Sequence, residues 1–377
     1  MTDCKKIAEL IFSDVDKTTE YYEELYPARA LPEGARVTRF APSPTGYLHF
    51  GGLYAGFASK LTADTTKGVF MLRIEDTDKK REVEDGVTGI VTGLEAFGVA
   101  PDEGVTGFNI EKGSYGPYTQ SQRREIYRAF AKKLMEEGKA YPCFCTPEEL
   151  DEIRAKQENE DIKGYYGAYA KCRDLTDEEI IEKVNAGIPY TVRLRSTGDI
   201  SRKIKFEDMI KGKIEMSENV NDVVVLKADG IPTYHFAHAI DDHLMRTTHV
   251  VRGDEWIASV PLHIELFRTC GFKPVKYAHI APIMKEENGG KRKLSKRKDP
   301  EANVSFYIEK GYPEASVKEY MLTILNSNFE DWRRANKNED INKFPFNLKK
   351  MSVSGALFDM VKFNDVSKNV ISVMTAE

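Results

Sequence analysis

Two arginines and a glutamate stand where apolar runs end. Arg39 lies in the run Val37 to Ala41, Glu75 follows Met71-Leu72-Arg73-Ile74, and Arg252 follows Val250-Val251. In open α/β sheets, ligands bind outside the carboxyl ends of the strands, so such positions are where a site is sought first. Two guanidinium groups and a carboxylate facing one crevice suit a ligand that carries carboxylates and an ammonium group. Three ordinary strand-end charges would look the same, and other signals must decide between the readings.

One such signal is Tyr47-Leu48-His49-Phe50-Gly51-Gly52, which follows the proline- and glycine-rich Ala41-Pro42-Ser43-Pro44-Thr45-Gly46 and precedes a helix-like stretch, Leu53 to Ala58. This places His49 and two glycines at a helix amino terminus. Unpaired N–H groups and the positive end of the helix dipole meet there, and glycine lets a nucleotide come close to the backbone. Far downstream, Lys293-Leu294-Ser295-Lys296-Arg297 follows Gly289-Gly290. Lysines on such a loop can close over phosphates and meet the charge that develops in phosphoryl or nucleotidyl transfer. Either element alone could be a simple turn or a solvated basic loop; the pair is far more specific.

These residues need elements to hold them. Val37 to Ala41, Val69 to Ile74, Val223 to Leu226, Thr248 to Val251 and Ala278 to Met284 are short β-branched or aromatic runs, several of them separated by amphipathic helices. The pattern predicts a parallel α/β sheet. A long stretch interrupts it, within which Ile126, Phe130 and Leu134 repeat at helical spacing and Thr146-Pro147-Glu148-Glu149 reads as a capping box. Ile7, Leu10 and Ile11 predict a helical extension before a linker broken by Pro27, Pro32 and Gly34. Five segments result: an extension over 1–36, a first half-domain over 37–119, an insertion over 120–232, a second half-domain over 233–288, and a basic, then helical, region over 289–377.

With 377 residues, 41% of them hydrophobic and 31% charged, the chain can bury more than one core. It has no apolar run of bilayer length and no signal-type start, so a cytoplasmic protein without a membrane partner is expected. The formal charge of −5 argues against a surface coated with positive charge, though one basic face remains compatible with it. Five cysteines, at 4, 143, 145, 172 and 270, do not make a disulfide framework.

The histidine turn and lysine loop together resemble the two hallmarks of the class I aminoacyl-tRNA synthetases, and the chain is most similar to the glutamyl-tRNA synthetase family. The similarity runs from about Val37 to the end. It includes Arg39 to Gly46, Arg73-Ile74-Glu75-Asp76-Thr77-Asp78, Gly116 to Ser121, Pro232-Thr233-Tyr234-His235 and Asp241-Asp242-His243. The fold this implies is α/β: a Rossmann-type parallel-sheet catalytic domain, an inserted α+β domain that binds the acceptor stem, and a mainly helical C-terminal stem-contact domain. Full-length relatives add an anticodon-binding region that this chain lacks, so truncation before that region is expected.

The resemblance also implies roles. Arg39 and Tyr234 would hold the side-chain carboxylate of L-glutamate, Arg252 its α-carboxylate, and Ala41, Ser43 and Glu75 its ammonium group. His49, Gly51, Gly52, Glu255, Trp256, Lys293, Leu294, Ser295 and Lys296 would surround ATP. His49, Lys293 and Lys296 would act in catalysis, and Mg2+ would neutralise pyrophosphate. Gly52 stands where the general class motif has a second histidine, and glutamyl-type relatives vary there. The implied activity is a glutamate–tRNA ligase of protein biosynthesis, monomeric, that binds the tRNA acceptor end and stem and needs tRNA before it activates glutamate. Alternatives are a glutaminyl-tRNA synthetase and a shortened paralogue that glutamylates a modified tRNA base; a non-catalytic tRNA-binding relative is disfavoured because the active-site residues are all present.

Three further features belong beside this reading. Some glutamyl-type enzymes hold Zn2+ with a Cys-x-Cys pair and a later cysteine, and Cys143, Cys145 and Cys172 fit three positions of a tetrahedral site. Tyr169 or Tyr166 could supply the fourth, although neither has the expected spacing; partly buried thiols are the equal alternative. Lys350-Met351-Ser352-Val353-Ser354 imitates the lysine hallmark, yet its second lysine is Val353, which cannot meet phosphate charge. The charge run Arg81 to Asp85 reads as a solvated helix face.

Overall fold

The computed structural model describes residues 3–78, 83 and 85–374. Helices α1 (Cys4–Ile11) and α2 (Thr19–Leu25) open the chain, capped by Asp3 and Thr18, whose side chains accept from the Lys6 and Tyr21 amides. Strand β1 (Val37–Phe40), helix α3 (Phe50–Asp64) and strand β2 (Val69–Leu72) form a crossover unit with parallel strands, Val37 opposite Val69. Helix α4 (Gly86–Glu95) leads to β3 (Glu103–Gly107), parallel to β2, and β4 (Ile110–Lys112) returns antiparallel on the edge.

The chain then leaves this sheet through α5 (Arg124–Glu136), whose predicted stripe Ile126, Phe130 and Leu134 is buried. Strand β5 (Ala140–Cys143), helices α6 (Pro147–Lys156) and α7 (Asp177–Asn185), strand β6 (Thr191–Leu194), the hairpin β7 (Lys203–Asp208) and β8 (Gly212–Ser217), and β9 (Val224–Leu226) follow. The predicted box at Thr146 and Glu149 starts α6 with both reciprocal hydrogen bonds made. Strands β5, β6 and β9 form an antiparallel sheet of their own.

Helix α8 (Tyr234–Leu244), strand β10 (His249–Gly253), helix α9 (Val260–Thr269) and strand β11 (Lys276–Ile280) return to the first sheet, with β10 and β11 parallel. Two bonds stitch β10 against β1: the Thr248 amide donates to the Val37 carbonyl (2.9 Å), and the Val37 amide donates to Thr248 Oγ1 (2.8 Å). Beyond it lie the hairpin β12 (Met284–Glu287) and β13 (Gly290–Lys293), then α10 (Val304–Glu309), α11 (Glu314–Leu325), α12 (Phe329–Ala335) and α13 (Met360–Ser372). Edge-on rings of Tyr307, Tyr320, Phe358 and Phe363 hold the helices together and reach Phe50 at the start of α3.

Three expectations are corrected. Val223 to Leu226 is not part of the parallel sheet; β9 pairs antiparallel with β6, a distinction that an apolar run cannot carry because it does not name its neighbour. The run Ala278 to Met284 is not one strand but stops at Ile280, because Pro282 has no N–H to give a ladder, and Met284 begins a separate hairpin. The segment before residue 37 is no loose linker. Helix α1 packs on α5 and α7, Arg29 pairs with Glu103 and donates to the Met245 carbonyl, and Arg246 donates to the Tyr26 carbonyl (2.9 Å).

Candidate active site

A cavity of about 570 Å³ opens where β1, β2, β10 and β11 end. Arg39, Ala41, Ser43, His49, Gly51, Gly52, Glu75, Tyr234, Arg252, Glu255, Trp256, Lys293 and Leu294 all line it, although they span most of the chain. Of the sequence-predicted ligand residues, Ser295 and Lys296 are the two that do not. Thr77 and Asp78, from the motif that begins at Arg73, also contribute to its wall, as do Tyr54 and the residues Ile280 to Ile283, to which the sequence reading gave no ligand role.

One end of the cavity is the amino terminus of α3. His49 is the N-cap, in extended conformation, and its Nδ1 accepts from the Gly51 amide at 2.8 Å. That bond fixes the tautomer: Nδ1 is the acceptor, so the ring proton sits on Nε2, where it can be donated. A Cβ on Gly51 would come within 3.0 Å of that same Nδ1, which is a local reason for glycine there. Burial, helped by the charges of Lys296 and Lys293, lowers the His49 pKa to about 4. The ring is therefore a neutral donor near pH 7.

The lysine loop faces this turn. Lys293 ends β13 and Leu294 is buried beneath it; the Leu294 amide donates to the Ile283 carbonyl (2.9 Å), which ties the loop to the cavity wall. Lys296 Nζ donates to the Tyr47 carbonyl at 2.5 Å, so the cation bridges the lysine loop and the histidine turn. Asp299 buttresses the bend, accepting from the Ser295 amide (2.9 Å) and from Arg292 Nη1 (2.6 Å), and these contacts hold its carboxyl well below the usual range.

The other end is built on buried charge. Arg73 donates to Asp242 Oδ1 (2.6 Å) and Glu75 Oε1 (3.1 Å), Arg39 Nε donates to Asp242 Oδ2 (3.4 Å), and Arg123 Nε donates to Asp241 Oδ1 (2.7 Å). Burial pushes the Glu75 carboxyl up, against the pull of Arg73 and Arg39. Asp242 goes the other way: three partners, Arg73, Arg39 and His238, overcome its burial and hold it well below the usual carboxylate range. Arg252 donates from Nη1 to Tyr234 Oη (3.3 Å) and lies against the Tyr277 ring, and Tyr234 packs on Trp256 with ring centroids 4.2 Å apart. Among the described residues the site thus presents two arginines held by acids, histidines and phenols behind them, beside a carboxylate.

The three predicted thiols converge in the insertion, with sulfurs within 4.8 Å of one another and Cys145 Sγ 3.6 Å from Cys172 Sγ. The fourth group beside them is not the expected one. Tyr166 and Tyr169 turn away to hydrogen-bond Glu160, whereas Tyr165 Oη lies 3.2 Å from Cys145 Sγ and 3.5 Å from Cys143 Sγ. A tyrosine seven residues before the third cysteine has no spacing rule to announce it; the turn at Gly167 brings it back. The Cys143 thiol, hydrogen-bonded by Cys172, is drawn down to about 4.

Of the two rejected motifs, Lys350 sits in a 3-10 turn outside the cavity, and Met351 is buried. The run Arg81 to Asp85 lies mostly outside the described residues; within it, Asp85 caps α4 in the left-handed conformation.

A nucleotide-type helix terminus facing a lysine loop, at the carboxyl edge of a split parallel sheet, defines the class I aminoacyl-tRNA synthetase fold. The family model described as "tRNA synthetases class I (E and Q), catalytic domain" matches residues 36–365, and the chain belongs to this family. It is 54% identical over 373 residues to a glutamate–tRNA ligase of Clostridium beijerinckii, covering 99% of this chain and 68% of that protein. A glutamate–tRNA ligase of Acetivibrio thermocellus is 53% identical, covering 100% of this chain and 69% of the relative. Among solved structures, the glutamate-tRNA synthetase of Elizabethkingia anophelis superposes with a TM-score of 0.77 at 34% identity, covering 90% of this chain and 71% of that one. A glutamate tRNA ligase of Elizabethkingia meningosepticum in complex with its amino acid gives 0.78 at 35%, covering 90% and 70%.

Proposed function

We infer that this chain is a glutamate–tRNA ligase, which activates L-glutamate with ATP and transfers it to the 3′ end of tRNA. The observation that carries the reading is the single cavity in which Arg39, Glu75 and Arg252 meet the His49 turn and the Lys293 loop. A dicarboxylate with an ammonium group needs two guanidinium forks and one acid, and the cavity offers them beside a phosphate-binding helix terminus.

In this reading Arg39 and Tyr234 take the side-chain carboxylate and Arg252 the α-carboxylate, while Glu75, Ser43 and the Ala41 backbone take the ammonium group. ATP lies against Gly51, Gly52, Glu255 and Trp256. The α-carboxylate attacks the α-phosphorus; pyrophosphate leaves. His49, neutral and carrying its proton on Nε2, donates to phosphate oxygen, and Lys293 and Lys296 meet the negative charge that builds up there. Lys296 spends one of its three N–H donors on the Tyr47 carbonyl and keeps two for phosphate oxygen, to which movement of its loop would bring it. Mg2+ would be held mainly by the phosphates, since it keeps few protein ligands, and would neutralise pyrophosphate. The second step passes the glutamyl group to tRNA, whose acceptor end and stem would lie along the insertion and the helical C-terminal region. The protein is read as a monomer of the cytoplasm, and among the described residues no helix is long and apolar enough to cross a membrane.

Zn2+ fits the thiol cluster. A Zn–S bond of about 2.3 Å puts tetrahedral sulfurs roughly 3.7 Å apart; Cys145 Sγ and Cys172 Sγ already stand 3.6 Å apart, and Cys143 Sγ lies within 4.8 Å of both. Cys143, Cys145 and Cys172 would hold the ion with Tyr165 Oη in the fourth position, clamping the start of α6 to the turn at Gly167. Its role there would be structural.

Pyrophosphate exchange with glutamate or glutamine, with and without tRNA, tests the reading. Exchange with glutamate plus tRNA is expected. Exchange with glutamine alone would instead establish a glutaminyl enzyme, and an absence of both with tRNA present would overturn the assignment.

A further inference from the structure

Arg252 is held from behind by groups that leave it little choice of orientation. Its Nε donates to His279 Nε2 at 3.1 Å, its Nη2 meets His263 Nδ1 at 3.1 Å, and its Nη1 donates to Tyr234 Oη at 3.3 Å. Guanidinium nitrogen can only donate, so the facing nitrogens of both histidines must be bare acceptors. The proton of His279 then sits on Nδ1, which lies 2.7 Å from Asp208 Oδ2. A carboxylate is acceptor-only and enforces that tautomer, while burial keeps the imidazole uncharged. His263, by the same logic, carries its proton on Nε2, 2.9 Å from His235 Nδ1.

Asp208 does not belong to the parallel sheet. It ends β7, in the hairpin of the insertion, where its Oδ1 accepts from the Ile210 and Lys211 amides at 3.0 and 2.9 Å. The same turn reaches in two further directions: Lys211 Nζ donates to Asp254 Oδ2 and to the Val353 carbonyl, both at 3.0 Å. The Met209 amide continues onto the edge of β11 through the Tyr277 carbonyl (2.9 Å). One four-residue turn therefore touches the insertion, the sheet edge beside Arg252, the segment that carries Glu255 and Trp256, and the C-terminal region.

We propose that Asp208 and His279 are positioning residues for substrate carboxylate binding: the insertion hairpin sets the tautomer of His279, and His279 aims Arg252 into the cavity. Three of the five guanidinium donors are spent on protein acceptors, and the two that remain, one on each Nη, are directed by those three. If the His279 proton moved to Nε2, donor would face donor and the guanidinium would swing off its axis. The inference rests on Arg252 as a carboxylate ligand.

The test is calorimetric binding of L-glutamate, and separately of ATP, to the full chain and its variants. Asp208→Asn keeps shape and the turn's acceptor, but its amide can donate to His279 Nδ1 and so select the wrong tautomer. It should weaken glutamate binding about tenfold or more, the usual scale of a misplaced buried donor, and leave ATP binding within about twofold. In His279→Gln the side-chain oxygen can replace Nε2 as acceptor, and no tautomer remains to be set; glutamate affinity should stay within about threefold. Adding Asp208→Asn to His279→Gln should then cost far less than it does alone, only what the main-chain amide of residue 279, 3.1 Å from Asp208 Oδ2, loses. Equal losses from Asp208→Asn in both backgrounds, or no loss in either, would overturn the relay. If Asp208→Asn does not fold, His279→Leu against His279→Gln decides: the first must lose glutamate binding and the second must keep it, and equal affinities refute the proposal. Arg252→Gln separates the two levels, since unchanged glutamate binding there defeats the assignment of Arg252 itself.

Discussion

Replacing Asp242 with asparagine should destabilise the fold more than any exposed substitution in the molecule. Its carboxylate is fully buried and accepts from Arg73 Nη1 at 2.6 Å and Arg39 Nε at 3.4 Å, with His238 Nδ1 only 2.7 Å away. Around it three acids, Asp241, Asp242 and Glu75, face three guanidinium groups, Arg39, Arg73 and Arg123, so the cluster balances when Glu75 is ionised. Asparagine leaves one positive charge uncompensated in a buried cluster. Breaking a buried pair in this way costs about 3–5 kcal/mol. An unfolding entropy of about 2.1 cal/mol/K per residue gives roughly 0.8 kcal/mol/K for the whole chain, so the midpoint should fall by about 4–6 °C if the chain melts as one unit, and further if the catalytic domain melts alone. Differential scanning calorimetry at pH 7 reads it. The wild-type advantage should also vanish in acid, because a carboxyl whose folded pKa is depressed stabilises above its unfolded pKa near 4 and loses that contribution as the pH falls through the lower, folded value. A variant that melts within 1 °C of wild type at pH 7, a resolution set against the roughly 4 °C minimum above, would refute the charge-hub argument.

Lys296→Ala should lower the adenylation rate by about 2–4 kcal/mol in the barrier while hardly changing the Michaelis constants, and a change confined to those constants would count against its role. Arg39→Lys should weaken glutamate and spare ATP, because lysine cannot reproduce a fork held on Asp242; equal affinity by calorimetry would reject the side-chain carboxylate assignment. The imidazole of His49 should titrate by NMR with a midpoint near 4 without nucleotide. Folding keeps it neutral, so its contribution to stability is present above roughly pH 6.5 and is lost as the pH falls toward the folded value; a midpoint above 6 would be incompatible with its burial. Protein purified without added zinc should hold close to one equivalent, and Tyr165→Phe should lower affinity without abolishing it; less than roughly a tenth of an equivalent in wild type would sink the metal site.

Much of this protein could be read from local pattern. The cap at His49, the box at Thr146, the stripe on α5 and the run-end charges each follow from interactions within about four residues, which is the range over which sequence spacing is itself geometry. That Arg39, Glu75 and Arg252 would share one cavity was legible because the fold gathers strand ends, so a rule about strand ends gathers them too. What the spacing could not supply was the identity of spatial neighbours. Val224–Leu226 looked like its sheet-forming counterparts until β6 proved to be its partner, and Tyr165, not Tyr166 or Tyr169, faces the thiols because the turn at Gly167 reverses the chain. Asp208 and His279 stand 71 residues apart, and no periodicity connects them. The sequence alone determined which groups were available: two guanidinium forks, one acid, a helix amino terminus with two glycines, and a lysine-bearing loop. Only the tertiary structure decided how the distant groups are aimed, because the proton on His279 and the orientation of Arg252 depend on acceptors brought from other segments and buried with them.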